Sequence, residues 1–314
     1  MFVSNVPFKK REHGFFLEVN LLNLEIPGVE MRVLCLHGRG SNNEIFRLQT
    51  ASLRADLDDF EFHFVQGTVP HTEGNWSLYT NSFSKLPLYG YYNGLSPLSI
   101  LQTETDLEHI IKTEGPFHGV IGYSGGAALA AEIIIRDELA HPFKLPDERP
   151  FQFAVFINGA SPLRVFRLED ENVEDGVIDI SEMLADAESI FLRPSALRKK
   201  DGVTDEDRAN HTKMLSLLKH VIGKRLADGT VFVSDGEHGL CRYEAHHGEP
   251  LISIPTLHVR SPDEKDPHQG LHLSNLCEKS LVREFFHDYG HDFPRGRYEM
   301  KKLSQLIREL AETI

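Results

Sequence analysis

The sequence predicts an α/β fold in which a doubly wound, mostly parallel sheet carries helices on both faces. Three observations support this: buried-strand patterns alternate with helical ones, a glycine-rich turn joins one strand to a strongly apolar helix, and the composition suits a globular chain. Of 314 residues, 40% are hydrophobic and 25% are charged, so a sizeable core can form. We expect residues 1–314 to form a single domain with an inserted, lid-like segment over residues 164–250.

The expected elements follow one another along the chain. An apolar run over 31–36 ends at a His-Gly pair and predicts a buried first strand. A stretch rich in Gly, Asn and Tyr over 67–94 predicts a long loop, and a polar helical pattern over 205–219 lies within the expected insertion. The remaining predictions are strands over 61–66, 120–122, 153–157, 256–259 and 282–286, and helices over 98–113, 127–135 and 298–314.

Charge and motif content narrow the classes of partner. The 33 Lys and Arg against 47 Asp and Glu give a net charge of −14, which repels a phosphate backbone, so we expect no nucleic-acid partner. The 3 cysteines lack CxxC spacing, which favours neither disulfides nor structural zinc. The sequence shows no P-loop, dinucleotide fingerprint or HExxH motif, so we expect no cofactor and no metal. Without a signal-peptide or membrane-span pattern, we expect a cytoplasmic location and no membrane association.

The strongest chemical signal is the pentapeptide Gly122-Tyr123-Ser124-Gly125-Gly126, a G-x-S-x-G pattern between a predicted strand and a buried helix. Glycines beside the serine allow strand and helix to pack closely while the serine Oγ projects outward. In this context Ser124 is the candidate nucleophile. The alternative interpretation is a glycine-rich turn with no chemical role.

A serine nucleophile needs a base, normally a histidine oriented by a carboxylate. His291 lies in the loop just after the last predicted strand, whereas His287 falls within that strand pattern and is the poorer candidate. The acid is expected after the penultimate strand, where three carboxylates occur. Asp266, directly before a proline, is the first choice, followed by Asp263 and then Glu264.

Acyl transfer also needs backbone N–H donors for the developing oxyanion. Gly125 follows the nucleophile and Arg39 lies in the loop after the first strand, so these two residues are the candidates. His37 in the same loop is interpreted as a packing residue rather than a base. Trp76 and Tyr91 of the long loop are candidates for a substrate pocket, and the alternative is that its aromatic residues pin the loop to the body.

Five short blocks carry a resemblance to a known family, at residues 36–42, 122–127, 157–162, 255–259 and 290–294. Together they resemble the fungal serine hydrolase family of the α/β-hydrolase fold, which contains small esterases and stand-alone thioesterases that release polyketides from their synthases. The resemblance implies a triad of Ser124, an Asp near 266, and His291. Many members carry glutamine where this chain has Gly125, a change that keeps the N–H donor and opens space beside the serine.

The resemblance implies that an acyl chain is released from a carrier protein by hydrolysis or by transfer to a hydroxyl group. The partners would be an acyl thioester or ester substrate and the acyl carrier domain of a polyketide synthase. Docking of an acidic carrier needs local positive charge, for which Arg198-Lys199-Lys200 or Arg39 with Arg47 are candidates. One alternative is a general carboxylesterase for small soluble esters, and another is an inactive hydrolase fold that only binds a ligand or partner. The sequence indicates no oligomeric state.

Overall fold

The described residues form both strands and helices. The computed structural model describes residues 31–71, 87–93, 96–181, 212, 221–245, 248–262 and 270–314. The helices of these residues are α1 (Asn43–Gln49), α2 (Ala51–Ala55), α3 (Pro97–Glu114), α4 (Gly125–Ala140), α5 (Leu271–Asn275) and α6 (Arg297–Ala311). The strands are β1 (Met31–Leu36), β2 (Phe60–Val65), β3 (Val69–Pro70), β4 (Tyr89–Gly90), β5 (Gly119–Tyr123), β6 (Phe153–Ile157), β7 (Leu163–Arg167), β8 (Ile222–Arg225), β9 (Val231–Ser234), β10 (His238–Arg242), β11 (Thr256–Arg260) and β12 (Val282–Phe286).

The largest sheet of the described residues has six strands in the order β12-β11-β6-β5-β1-β2. All neighbouring strands in it run parallel, so their carboxyl ends share one edge. The chain passes from β1 to β2 on one side and then to β5 on the other, so the strand order reverses between β1 and β5. Open α/β sheets bind their ligands at such a reversal. The loop that begins at His37 and the turn at Ser124 both lie there.

Helices pack on both faces of the sheet. Successive residues of a strand point to opposite faces, so a strand of mostly apolar residues makes both faces apolar. In β1, Val33 and Cys35 belong to a core cluster with residues of α1, α2 and α6. Leu34 and Leu36 belong to the other cluster, with residues of α3 and α4. The helix α4 is buried from Gly126 to Ile135, as its continuous apolar pattern predicts. The doubly wound α/β class is therefore confirmed.

Most predicted central elements match the structure closely. The strands predicted over 31–36, 153–157 and 282–286 have the observed bounds, and the helix predicted over 127–135 is the middle of α4. The short helices α1, α2 and α5 were not predicted. Within the described part of the chain, no helix has both the length and the apolar content needed to span a membrane.

The described part of the predicted insertion contains a second, antiparallel sheet of order β7-β10-β9-β8. Leu226, Phe232 and Cys241 form its small core. Its strands are 4 or 5 residues long and β7 has no fully buried side chain, so their sequence pattern is weak and they were not predicted. The helical pattern over 205–219 lies outside the described residues, apart from position 212. A lid role for 164–250 within one domain stays a prediction.

Candidate active site

Ser124 occupies the sharp turn between β5 and α4, with φ 52° and ψ −115°. A positive φ is unfavourable for a residue with a Cβ and costs about 1–3 kcal/mol, so the surroundings must enforce it. The Ser124 N–H donates to the Ile157 carbonyl at 2.9 Å, and the Ser124 carbonyl accepts from the N–H of Ala127 at 3.0 Å and of Ala128 at 3.2 Å. These bonds tie the turn to β6 on one side and to α4 on the other.

Two glycines beside the serine make this turn possible because they lack a Cβ. A Cβ on Gly122 would lie 2.5 Å from the Ala127 Cα, within the first turn of α4. A Cβ on Gly126 would lie 2.3 Å from the Leu36 carbonyl oxygen at the end of β1. Any side chain at either position would therefore separate α4 from the sheet and displace the Ser124 hydroxyl.

His291 reaches the serine from the loop after β12. Its Nε2 lies 2.9 Å from the Ser124 Oγ, within the range expected for a base and the proton that it abstracts. The Tyr123 ring stacks on the imidazole with a centroid separation of 6.0 Å, and the Tyr123 hydroxyl donates to the His291 carbonyl at 2.7 Å. The structure thus brings the candidate nucleophile and the candidate base together.

The carboxylate of the predicted triad falls outside the described residues. Asp263, Glu264 and Asp266 all belong to the segment 263–269, which the structure does not describe. The strand before this segment, β11, lies between β6 and β12 and ends at the same sheet edge as β5, the strand that precedes Ser124. The choice of Asp266 over Asp263 stays a prediction.

The two candidate oxyanion donors lie next to each other beside Ser124. Gly125 is the first residue of α4, where a backbone N–H has no partner within the helix and the helix dipole is positive. A Cβ placed on Gly125 would lie 3.7 Å from both the Cβ and the backbone N of Arg39, so the two backbones approach closely. This arrangement suits the stabilisation of negative charge that develops at a carbonyl attacked by Ser124.

His37 holds the loop that carries Arg39. It is fully buried, and its Nε2 accepts from the Gly67 N–H at 3.0 Å. Its Nδ1 therefore carries the proton and donates to the Gly38 carbonyl at 2.8 Å. Burial lowers the pKa of His37 to about 4, so the ring is neutral at pH 7. These contacts agree with the interpretation of His37 as a packing residue.

Tyr91, a candidate for the substrate pocket, lies in the core with 7% of its surface exposed. Its hydroxyl accepts from the His37 N–H at 2.9 Å and donates to the Val65 carbonyl at 3.1 Å. Its ring also stacks on the His37 imidazole at 4.7 Å. These contacts favour the alternative interpretation, in which the aromatic residue pins its loop to the body. Trp76, the other pocket candidate, lies outside the described residues.

Two buried polar residues with hydrogen bonds are not among the predicted site residues. The Asn158 side-chain amide, just after β6, donates to the backbone carbonyl of His291. Glu132 of α4 accepts from the Tyr92 hydroxyl at 2.8 Å and from the Leu163 N–H at 2.7 Å, and burial raises its pKa to about 8. The sequence does contain a signal for Glu132, because this glutamate stands inside an otherwise apolar helical run. An asparagine after a strand carries no such signal.

The fold and the site together define a serine hydrolase with the α/β-hydrolase fold. A parallel sheet, a nucleophile at a strained strand–helix turn, and a histidine from the loop after the last strand are the parts that this class requires. The family model described as serine hydrolase (FSH1) matches residues 28–303, and the chain belongs to this family.

Similar proteins include fungal hydrolases. The chain is 40% identical over 232 residues to Esterase FPY3 of Fusarium mangiferae, which covers 72% of this chain and 92% of that protein. It is 26% identical over 285 residues to Hydrolase FUB4 of Fusarium oxysporum f. sp. lycopersici, which covers 89% of this chain and 98% of that protein. A solved structure of a monoacylglycerol lipase from Paleococcus ferrophilus aligns with a TM-score of 0.46 and 13% identity, over 90% of this chain and 94% of that one.

Proposed function

We propose that the chain cleaves carboxylic thioesters and esters through an acyl-Ser124 intermediate. The 2.9 Å contact between the His291 Nε2 and the Ser124 Oγ, beside the first residue of α4, carries this proposal. His291 takes the hydroxyl proton as Oγ attacks the substrate carbonyl, and the N–H groups of Gly125 and Arg39 bind the oxyanion. Asp266 is the proposed acid that orients the imidazole. The imidazolium then protonates the leaving thiol or alcohol, and the acyl group stays on Ser124.

A second attack releases the acyl group. His291 removes a proton from water or from a hydroxyl group, whose oxygen attacks the acyl carbonyl while the same backbone donors bind the new oxyanion. Collapse of this intermediate returns the proton to Ser124. Water yields a free acid, a hydroxyl of the acyl chain itself yields a lactone, and a separate alcohol yields an ester. His291 is an exposed residue, which supports access by either acceptor.

For the natural substrate, we propose an acyl chain of polyketide type carried as a thioester on a carrier protein. The resemblance to the polyketide-releasing members of the family supports this, as does the exposed positive charge of Arg39 beside the site. Arg39 is exposed next to the oxyanion position, and the exposed Arg47 lies on α1 with its guanidinium 4.5 Å from the Phe64 ring centroid. The other candidate, residues 198–200, lies outside the described residues. Because the net charge is −14, an acidic carrier needs such local attraction.

A general carboxylesterase acting on small soluble esters is the second candidate. The 40% identity to a protein named as an esterase favours it. Ser124 attacks an acyl carbonyl carbon in both cases and forms the same kind of acyl-enzyme. The two candidates differ in the leaving group, a thiol or an alcohol, and in how the substrate is recognised.

Labelling with a fluorophosphonate probe, followed by intact mass, tests the catalytic proposal. We expect one adduct on the native chain and on the matched surface variant Ser280→Ala, no adduct on Ser124→Ala, and a strongly slowed reaction for His291→Ala. Asp266→Asn and Asp263→Asn are compared in the same assay, and we expect the greater loss for Asp266. An adduct that persists on Ser124→Ala would overturn the assignment of the nucleophile.

Steady-state turnover separates the two substrate classes. Acyl chains are offered on a carrier protein, as free pantetheine thioesters and as short soluble esters. We expect the highest kcat/KM for the carrier-bound thioester, and we expect Arg47→Glu to lower that value without changing turnover of the free thioester. If short esters are turned over as well as or better than the carrier-bound chain, the carboxylesterase interpretation replaces the proposal.

A further inference from the structure

The loop that carries His291 leaves the sheet and crosses to Ser124 as an exposed or half-buried segment. Residues 288–292 form this segment, and the buried side chains of His287 and Phe293 lie at its two ends. The three residues of this segment that precede His291, residues 288–290, are exposed or half-buried. The position of the imidazole therefore depends on the hydrogen bonds that buried residues make with the backbone of this segment.

Asn158 supplies two of these contacts. It is fully buried directly after β6, has φ 44°, and its backbone N–H donates to the Val259 carbonyl at 2.7 Å. The Asn158 Nδ2 lies 3.0 Å from the carbonyl oxygens of both His291 and Asp292. One rigid amide on the sheet therefore donates to two successive peptide groups, one of which belongs to the candidate base.

His287 fixes the orientation of that amide. The Tyr289 N–H donates to the His287 Nδ1 at 3.2 Å, so the ring proton resides on Nε2. The His287 Nε2 lies 3.1 Å from the Asn158 Oδ1 and donates to it. With Oδ1 satisfied by the ring, Nδ2 is the end of the amide that faces the segment. The two carbonyls accept hydrogen bonds and cannot donate, which agrees with this orientation.

We propose that Asn158 and His287 are positioning residues, which act on the reaction by setting the place of the His291 imidazole relative to Ser124. This inference rests on the proposed function, because it takes His291 as the base. A displacement of about 1 Å between reacting groups costs on the order of 100-fold in rate, even when the substituted residue is remote from the chemistry. Tyr123 adds a second hydrogen bond to the His291 carbonyl, so loss of the Asn158 amide displaces the segment without releasing it.

Asn158→Asp is the principal test, because aspartate keeps the size of the side chain and its acceptor but loses both amide donors. We expect kcat for a soluble ester to fall about 100-fold while KM changes little, since the buried Asn158 amide bonds to the chain itself, to His287 and to the carbonyls of His291 and Asp292. His287→Phe should give a similar loss of kcat, whereas His287→Gln, which retains an N–H donor, should recover most of it. Thermal melting of each variant establishes that it is folded, and Asn158→Ser serves as a second variant if Asn158→Asp does not fold.

A double-mutant comparison separates positioning from a purely structural role. In a His291→Ala background there is no imidazole to place, so Asn158→Asp should leave the residual rate of fluorophosphonate labelling unchanged. An equal fold-loss in both backgrounds would overturn the proposal, and so would full activity of Asn158→Asp in the native background. If Ser124→Ala or His291→Ala remains fully active, the proposed function itself fails, which is a separate result.

Discussion

Replacing Gly126 with alanine would force a methyl group into the contact between α4 and the end of β1. The added Cβ would lie 2.3 Å from the Leu36 carbonyl oxygen and 2.6 Å from that of His37, and both are backbone atoms that cannot rotate away. Helix and strand must separate by roughly 0.7 Å or more to bring the closer contact to about 3 Å. Overpacking of this kind lowers the free energy of unfolding by about 3 kcal/mol. For a chain of this length, that corresponds to a melting temperature lower by about 5 °C. The same movement shifts the Arg39 N–H, so acylation should slow by about 100-fold.

Gly125→Ala is the matched control for this substitution, one residue away. Its Cβ would meet Arg39 atoms at 3.7 Å, which is ordinary van der Waals contact, and the backbone N–H donor is retained. We expect its melting temperature and its labelling rate to stay close to those of the native chain. Both quantities are measured by thermal unfolding and by intact mass after exposure to a fluorophosphonate. A Gly126→Ala protein that melts and reacts like the native chain would refute the close packing of α4 on β1.

Three further substitutions test the core, the loop and a buried carboxyl group. Leu303→Ala, at a fully buried position of α6, should lower the free energy of unfolding in urea by about 3 kcal/mol. Gln305→Ala, on the exposed face of the same helix, should lower it by less than about 0.5 kcal/mol. Equal losses would contradict the assigned buried face. Tyr91→Phe leaves the backbone N–H of His37 without its partner and should lower the free energy of unfolding by about 1–3 kcal/mol, with KM unchanged. A raised KM at native stability would instead favour the substrate-pocket interpretation. Because burial raises the pKa of Glu132 to about 8, the folded chain keeps a proton that the unfolded chain releases above its ordinary pKa of 4.5. The contribution of this carboxyl group to the free energy of unfolding therefore falls as the pH rises from about 5 to 8, by at most about 1.4 kcal/mol per pH unit. Glu132→Gln should remove this dependence on pH. Parallel curves of stability against pH for the two proteins would show that the group does not titrate in this range.

The parts of the fold that the sequence predicted well are those whose burial leaves a local pattern. The strands at 31–36 and 153–157 and the helix around 127–135 are buried on both sides, so nearly every residue in them is apolar. Ser124 stands out as the candidate nucleophile for a similar reason, because its turn imposes glycines at fixed neighbouring positions. Strands β8 and β9 of the second sheet bury one face or less, and alternation over 4 residues is too brief to distinguish from a loop. Strand β10 is buried from His238 to Cys241, but with a histidine and a glycine among those four residues it has no continuous apolar run.

The parts that could not be predicted depend on contacts between distant segments. Asn158 is 133 positions from His291, and nothing local to either residue indicates that an amide meets a carbonyl there. The loop composition makes Tyr91 a candidate for a substrate pocket, and its hydrogen bond with His37, 54 positions earlier, leaves no mark on that composition. The acid is ambiguous for a related reason, because which of several neighbouring carboxylates faces the base depends on the path of the loop.

The sheet itself explains why His291 rather than His287 reaches the serine. The strand β12 is separated from β5 by β11 and β6, so the chain must cross three strand spacings, about 14 Å in all. His287 is one residue beyond the last residue of β12, and one residue advances the backbone by at most about 3.5 Å. Five residue steps lead from Phe286 to His291, a contour of about 17 Å when extended, and part of that length forms a turn in which the Asp292 N–H donates to the Tyr289 carbonyl at 3.1 Å. The crossing passes over the end of β6, where the Asn158 side chain donates to the carbonyls of His291 and Asp292 and so holds the far end of the segment beside Ser124.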